Sequence, residues 1–423
     1  MKEEVVNSAQ TIKQHLIENC MKPVILNTYK DKGGAAIAAG RITKAIQNEI
    51  PQASAQFLID DNNRSITGSI QKLRPYIDFG WGFLRSFKRL PYFPAVLKTP
   101  TLNKKFTSEN PDIVHFHWMQ GGYFDFSVDS VPNGIPLIWT FHDLWPITGG
   151  CAYPGECTGF LNNCGNCPLF LFPHKKDLSY RSFKRKRDFF QSISDIHIVT
   201  PSSWLQQKVK QSPLTAHLNT SVIHNGIDTE TFRCINKSEA RKKLGISDHK
   251  NIILFGAIGA TTNPKKGFDL LLGAFEKMDY SRNRLIVFGS SRKAENKNSD
   301  ITYYPIIKNN KTLNLLYSAA DVMVVPSREE VFGQTVIEAM ASGTPVVAFN
   351  NGGPADIIKH KVNGYLALPF SIESLQEGIE WILSQDSGEL DQKAQSHIEN
   401  NFHITKTAAK YISLYHSLAQ SEI

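Results

Sequence analysis

The chain has 423 residues, 41% of them hydrophobic and 20% charged, which is the balance of a globular protein with room for two domains. It holds no run of about 18 apolar residues, which excludes a membrane-spanning helix. Its polar start, MKEEVVNSAQTIKQHL, is unlike a secretory leader, so a cytoplasmic location is expected. The net charge of +8 and pI near 9.0 favour anionic partners: nucleotide phosphates or an acidic membrane surface. Nucleic acid is not expected, because no recognition motif accompanies the charge.

Residues 1–21 read as an N-terminal extension. Met21 opens KPVILN and is a second possible start, so the first twenty residues are either a helical extension or the product of an upstream start codon. From there short apolar runs alternate with helical patterns. KPVILNTY, ASAQFLI, PDIVHFHW, PLIWTFHD and IHIVTP read as strands, and GGAAIAAGRITKAI as a helix. A second series follows: NIILFGA, RLIVFGS, ITYYPII, DVMVVPS and PVVAFN as strands, with GFDLLLGAFEKM, TLNLLYSAA and QTVIEAMAS as helices. Strands written as continuous apolar runs between helices indicate parallel sheets covered on both faces. Two such series predict two doubly wound α/β domains. His224-Asn225-Gly226 is a turn signal at the join. The expected division is 22–225, 226–402, and a last helix over 403–423 with Tyr411, Leu414, Tyr415 and Leu418 on one side.

Two stretches interleave bases with aromatics: Arg85, Lys88 and Arg89 in GFLRSFKRLPYF, and Lys184 to Arg187 in SFKRKRDFF. They read either as solvated helix faces or as a surface for an anionic bilayer. Cys151, Cys157, Cys164 and Cys167 fall in one short segment, CAYPGECTGFLNNCGNCP. That spacing admits a structural zinc site, four unliganded thiols or a redox pair, whereas a stable disulfide is not expected in a reducing cytosol.

The strongest chemical signal is VPSREEVFGQTVIEAMASGTPVVA at 325–348, which reads as strand, loop, helix, turn, strand. Gly333 precedes a helix expected to begin at Gln334, and open amides at a helix start hold phosphate oxygens. Glu330 stands before that helix and Glu338 just over one turn into it, two acceptor-only groups suited to sugar and ribose hydroxyls. This string closely resembles the signature of the retaining GT-B glycosyltransferases of family four. The resemblance implies that Glu330 meets the donor sugar and Glu338 the ribose. It also implies that Phe332, Gly333, Gln334 and Thr335 frame the diphosphate with backbone amides.

Other segments agree. IHNGIDTETF at 223–232 resembles the family's domain-linking motif, and NTYKDKGGAA at 27–36 its glycine-rich loop, where Gly33 and Gly34 let the backbone approach the donor. KGFDLLL at 266–272 resembles the segment whose lysine, here Lys266, meets the donor diphosphate. An arginine usual about five residues earlier is replaced by Ala257, and the following loop is longer; Lys265 is a candidate for the missing charge. His142, at the end of the TFHD strand, matches the family's active-site histidine, with Asp143 orienting the loop or that histidine. The nearest likeness is to polysaccharide-biosynthesis enzymes of the colanic-acid or capsule type, which carry a similar cysteine segment.

The resemblance implies metal-independent transfer with retained anomeric configuration. The donor is a nucleotide-diphosphate sugar bound by the C-terminal domain, across a cleft from the N-terminal one. The acceptor is a glycan or lipid-linked glycan of a surface polysaccharide such as capsule or lipopolysaccharide, met at the inner face of the membrane. No Asp-x-Asp is placed to hold a catalytic divalent ion. The last helix is expected to return to the first domain. Two other classes share this fold: nucleotide-sugar epimerases and non-catalytic nucleotide-sugar-binding proteins.

Overall fold

The computed structural model describes residues 21–30, 33–59, 102, 109–121, 124–193, 195–246, 249–290 and 299–420. The N-terminal extension and the basic stretch with Arg85, Lys88 and Arg89 lie outside the described residues. The chain forms two compact units. The first comprises Met1–Pro201, Leu205–Ile223 and Ala408–Ile423, and the second Ser202–Trp204 and His224–Thr407.

The first unit holds β1 (Pro23–Tyr29), β2 (Ser54–Ile59), β3 (Ile113–Phe116), β4 (Leu137–Thr140), β5 (Ile196–Thr200) and β6 (Asn219–Val222). They form one parallel sheet in the order β2-β1-β3-β4-β5-β6. Strands β3 and β4, IVHF and LIWT, are buried along their whole length, as a sheet covered on both faces requires. An aromatic core packs beside them. Trp139 stands edge-on to Phe116, Phe124 and Phe141, and Phe189 and Phe190 of the helix Leu178–Ser192 close it. β6 is polar (NTSV) and lies partly exposed at the sheet edge; no apolar run marks it in the sequence.

The second unit holds β7 (Asn251–Gly256), β8 (Asn283–Phe288), β9 (Ile301–Tyr304), β10 (Val322–Val325), β11 (Val346–Phe349) and β12 (Gly364–Ala367). All pairings are parallel, in the order β12-β11-β10-β7-β8-β9. Side chains alternate between two cores. Ile252, Leu254, Met323, Val325, Val346 and Ala348 face one; Ile253, Phe255, Val322, Val324, Val347 and Phe349 face the other. Each buried aliphatic side chain contributes roughly 1.5–3 kcal/mol, so the apolar runs are what hold these strands between two cores.

The helix Ile404–Ala419 ends the described chain, and from Ala408 its residues belong with the first unit. Its Tyr411 and Tyr415 are fully buried there. The Tyr415 hydroxyl lies 2.7 Å from His115 Nδ1, the Tyr411 hydroxyl 3.0 Å from Thr140 Oγ1, and that Thr140 oxygen 2.8 Å from His115 Nε2. His115 is therefore satisfied on both ring nitrogens and is a structural residue.

Candidate active site

In the second unit the strand order reverses between β7 and β10. Ligands of open α/β sheets bind beyond the carboxyl ends of the strands at such a switch point. The helix after β7, Phe268–Phe275, packs into one core, and the helix after β10, Gln334–Ala341, into the other. The two helices thus leave on opposite faces of the sheet, and the loops that precede them carry the expected site residues.

Those loops are joined. Lys266 Nζ lies 2.7 Å from Glu330 Oε2, with the two side chains 28% and 16% exposed. Ser327 Oγ stands 3.4 Å from the same carboxylate oxygen. Arg328 binds Asp269 through both guanidinium nitrogens, at 2.8 and 2.6 Å, and donates to Pro264 O at 2.7 Å. Its amide donates to Lys265 O at 2.8 Å. The pairing holds the Asp269 carboxyl below its usual range. Gly267 has φ +70°, and a Cβ there would lie 1.9 Å from Pro326 O, so only glycine allows the loops to approach this closely.

A third segment backs the Glu330 loop and was not singled out in the sequence. Gly353 N donates to Glu330 O at 2.9 Å, and Asn351 Nδ2 to Arg328 O at 3.1 Å. A Cβ on Gly352 or Gly353 would strike Glu330 or Phe332 backbone at 2.3 Å. Two glycines ahead of Pro354 are the signal that points to such a close backbone approach.

Gly333, at φ +110°, caps the helix Gln334–Ala341. Internal hydrogen bonding of that helix begins at the amides of Val336 and Ile337, both to Gly333 O, so the amides of Gln334 and Thr335 precede the ladder. The Phe332 ring is buried, against His224 and Phe402, and anchors the loop. Glu338 is only 6% exposed and accepts a 2.9 Å hydrogen bond from the buried Tyr317 hydroxyl. Tyr317, on the helix Asn310–Ala319, is a partner the sequence did not reveal.

In the first unit the corresponding loops leave β1, β3 and β4. Gly33, at φ +94°, caps the helix Gly34–Glu49, and among the described residues a Cβ on Gly33 or Gly34 would meet nothing within 4 Å. Beyond β3, Trp118 N donates to Asn27 Oδ1 at 2.9 Å, and Thr28 Oγ1 to Gln120 O at 2.9 Å. Asp143, beyond β4, accepts from Trp118 Nε1 (3.0 Å), Gln120 Nε2 (2.6 Å) and Trp145 N (2.8 Å). Burial outweighs these bonds and pushes its carboxyl up to about 6. His142 is bonded not to Asp143 but to His117, Nε2 to Nδ1, at 2.9 Å. Burial brings His142 down to about 4 and His115 to about 3, and holds His117 well below its usual value; all three are neutral at pH 7.

The four clustered cysteines line one cavity of about 150 Å³. Cys164 Sγ accepts from Gly149 N at 3.2 Å. Asn163, Cys164, Gly165 and Asn166 all have positive φ, which curls the backbone tightly around the two thiols of the Cys164–Cys167 pair. Burial pushes the Cys151 thiol up to about 12 and the Cys164 thiol up to about 11. Among the described residues, no group of three His, Cys, Asp or Glu side chains is arranged to hold a metal ion. One basic residue departs from the expected exposed run. Lys186 is completely buried, donates to Trp145 O and to Thr148 O (2.9 Å), and sits 4.3 Å from the Trp145 ring centroid. Burial lowers it to about 7. Lys184 and Arg185 remain exposed, as does the nearby LFPHKK segment at 171–176, where Phe172 is 84% exposed.

Two parallel six-stranded units of this kind define the GT-B class of fold. Residues 67–231 match the model for Glycosyltransferase Family 4, and residues 236–401 that for Glycosyl transferases group 1. The matches together span most of the chain, which belongs to these group 1, family 4 glycosyltransferases. An uncharacterized glycosyltransferase of Methanocaldococcus jannaschii is 33% identical over 211 residues, 47% of this chain and 53% of that one. The lipopolysaccharide 1,2-N-acetylglucosaminetransferase of Salmonella typhimurium is 27% identical over 238 residues, 52% of this chain and 61% of that one. The matches thus span 53% and 61% of the length of these two curated relatives. Among solved structures, sucrose-phosphate synthase from Thermosynechococcus elongatus superposes with a TM-score of 0.69 at 18% identity, covering 95% of this chain and 100% of that one. Anabaena HepE in complex with UDP-glucose gives 0.65 at 18% identity, covering 94% and 99%. At such identities the likeness is one of fold.

Proposed function

We propose that this protein is a retaining glycosyltransferase that transfers a sugar from a nucleotide-diphosphate donor to a glycan or lipid-linked glycan acceptor of a surface polysaccharide. The observation that carries the reading is the Lys266–Glu330 pair beside the helix start at Gln334, at the switch point of the second sheet. A phosphate binding there would draw on the lysine and the helix amides together, while Glu330 turns its acceptor oxygens to the sugar hydroxyls. Lys266 and the helix start would offset charge growing on the leaving diphosphate as the glycosidic bond breaks. A diphosphate oxygen would take the acceptor proton on the same face, so no protein nucleophile is assigned. Lys265 is a second cation for the phosphates, and the open backbone at Gly33 and Gly34 serves the approach of the substrates. His142 is assigned to the sugar. A thermal-shift screen of nucleotide sugars tests the reading: a nucleoside-diphosphate sugar should raise Tm, because it binds the folded state alone. No shift with any member of a broad panel would count against it.

Peripheral attachment to an anionic membrane is part of the proposal. Leu171 and Phe172, followed by Lys175 and Lys176, and the exposed Lys184 and Arg185 combine apolar and cationic groups suited to a headgroup layer. In vesicle flotation the protein should rise with anionic vesicles at low salt and stay behind at high salt, because exposed charges are screened within about 10 Å at 0.1 M. Equal flotation with neutral vesicles, or none, would point to a soluble acceptor instead.

A structural zinc on Cys151, Cys157, Cys164 and Cys167 is part of the proposal, although no three of these thiols already stand in metal-holding geometry and binding would have to draw them together. The donor set is four thiols on one cavity, and the sulfur of Cys164 already receives an amide hydrogen bond. The buried Lys186 ammonium is within electrostatic reach of Cys164 and Cys151 and would offset the negative charge of four thiolates. Elemental analysis should find about one zinc per chain. Absence of both zinc and iron, with four thiols titrating freely in the folded protein, would leave the cluster as plain thiols.

A further inference from the structure

His117 is held from three sides. Its amide donates to Leu26 O at 2.9 Å, its carbonyl accepts from Trp139 Nε1 at 2.9 Å, and its ring lies between those of His115 and His142, with centroids 4.2 and 5.2 Å away. The side chain is 1% exposed. Its Nδ1 meets His142 Nε2 at 2.9 Å, while among the described residues its Nε2 finds no hydrogen-bond partner. Two neutral imidazoles joined in this way share one proton along the bond, and there are two ways to place it.

If His142 donates, His117 must carry its own proton on Nε2, leaving a buried N–H with no acceptor. If His117 donates from Nδ1, its Nε2 is a bare lone pair, and the proton of His142 is placed on Nδ1. Buried N–H groups without an acceptor are rare in folded proteins, so the arrangement that leaves none wins. We propose that His117 is a positioning residue that fixes His142 as the Nδ1–H tautomer. The partly exposed His142 then offers its ligand a hydrogen-bond donor rather than a basic nitrogen. A donor fits an electron-rich oxygen, such as a sugar hydroxyl oxygen, and cannot remove the acceptor's proton. This inference rests on the reading of His142 as a site residue.

The test is long-range proton–nitrogen correlation NMR on protein labelled with nitrogen-15 at its 13 histidines, with His142 assigned from the spectrum of His142→Gln. His142 should show a protonated Nδ1 and a bare Nε2. His117→Phe should move it toward the Nε2–H form that free imidazoles favour, and lower kcat/KM for the donor by about tenfold, the scale of one lost hydrogen bond. His117→Asn, whose amide can still donate to Nε2, should restore most of the rate. A His142 proton on Nε2 in the wild type, which needs no variant to fold, would overturn the inference. So would a tautomer indifferent to His117→Phe. If the tautomer is as expected but His142→Ala keeps full activity, the positioning stands and the assignment of His142 to the substrate falls.

Discussion

Replacing Lys266 with alanine is expected to lower kcat by about 100-fold or more, about 2.7 kcal/mol, because the charge it meets grows between ground state and transition state. One neighbouring cation, Arg328, is committed. Arg328 is held by both oxygens of Asp269 and by Pro264 O, and Ala257 stands where the family resemblance leads one to expect an arginine. Lys265 contributes its carbonyl to the Arg328 amide whatever its side chain does, so Lys265→Ala should keep the loop and cost less. Steady-state kcat for both single variants and the double variant separates the cases. Small single effects with collapse of the double mean that the lysines substitute for one another. A double variant near wild type places the phosphate cation elsewhere. Loss of Lys266 also leaves Glu330 with Ser327 as a long, 3.4 Å partner, so Tm is measured alongside to separate lost catalysis from lost folding.

Glu338→Ala should weaken binding of the free nucleoside diphosphate by about 1–3 kcal/mol, roughly 5- to 150-fold, and raise the donor KM in step. The carboxylate is nearly buried and already accepts from Tyr317, so its geometry is set before any ligand arrives. The alanine variant leaves the Tyr317 hydroxyl without this acceptor and should lose stability as well. Tyr317→Phe supplies the control: it removes the same hydrogen bond but keeps the carboxylate. Calorimetric affinity that falls in Glu338→Ala and holds in Tyr317→Phe assigns the effect to a ribose contact. Unchanged affinity in Glu338→Ala removes Glu338 from the site.

The fold was legible because its strands are buried on both faces. IILF within NIILFG, VMVV and VVAF alternate side chains between two cores, and a run with no polar member has no other use in a sheet this deep. The edges were less legible. NTSV forms β6, where one neighbouring strand and partial exposure lift the demand for an apolar run, and GYLA forms β12, a buried edge strand only four residues long. At the site, the motif order told which loops matter, and the strand order placed them together. Pairings across the sheet were not legible. Nothing local to Glu338 names Tyr317, 21 residues away, and nothing local to His142 names His117 as its ring partner. Lys186 shows the opposite error: within KRKR it reads as one more surface base, yet the helix turns it inward onto two carbonyls.

The most direct test of the central claim follows a nucleotide sugar, chosen by thermal shift, through incubation with the protein by proton NMR. The account predicts release of nucleoside diphosphate, fast with an acceptor glycan and slow with water, and a new glycoside that keeps the donor's anomeric configuration. Conversion of the sugar to an isomer while still attached to its nucleotide would make the protein an epimerase. A donor that binds and is returned intact, with acceptor and with water alike, would make it a binding protein and contradict the account.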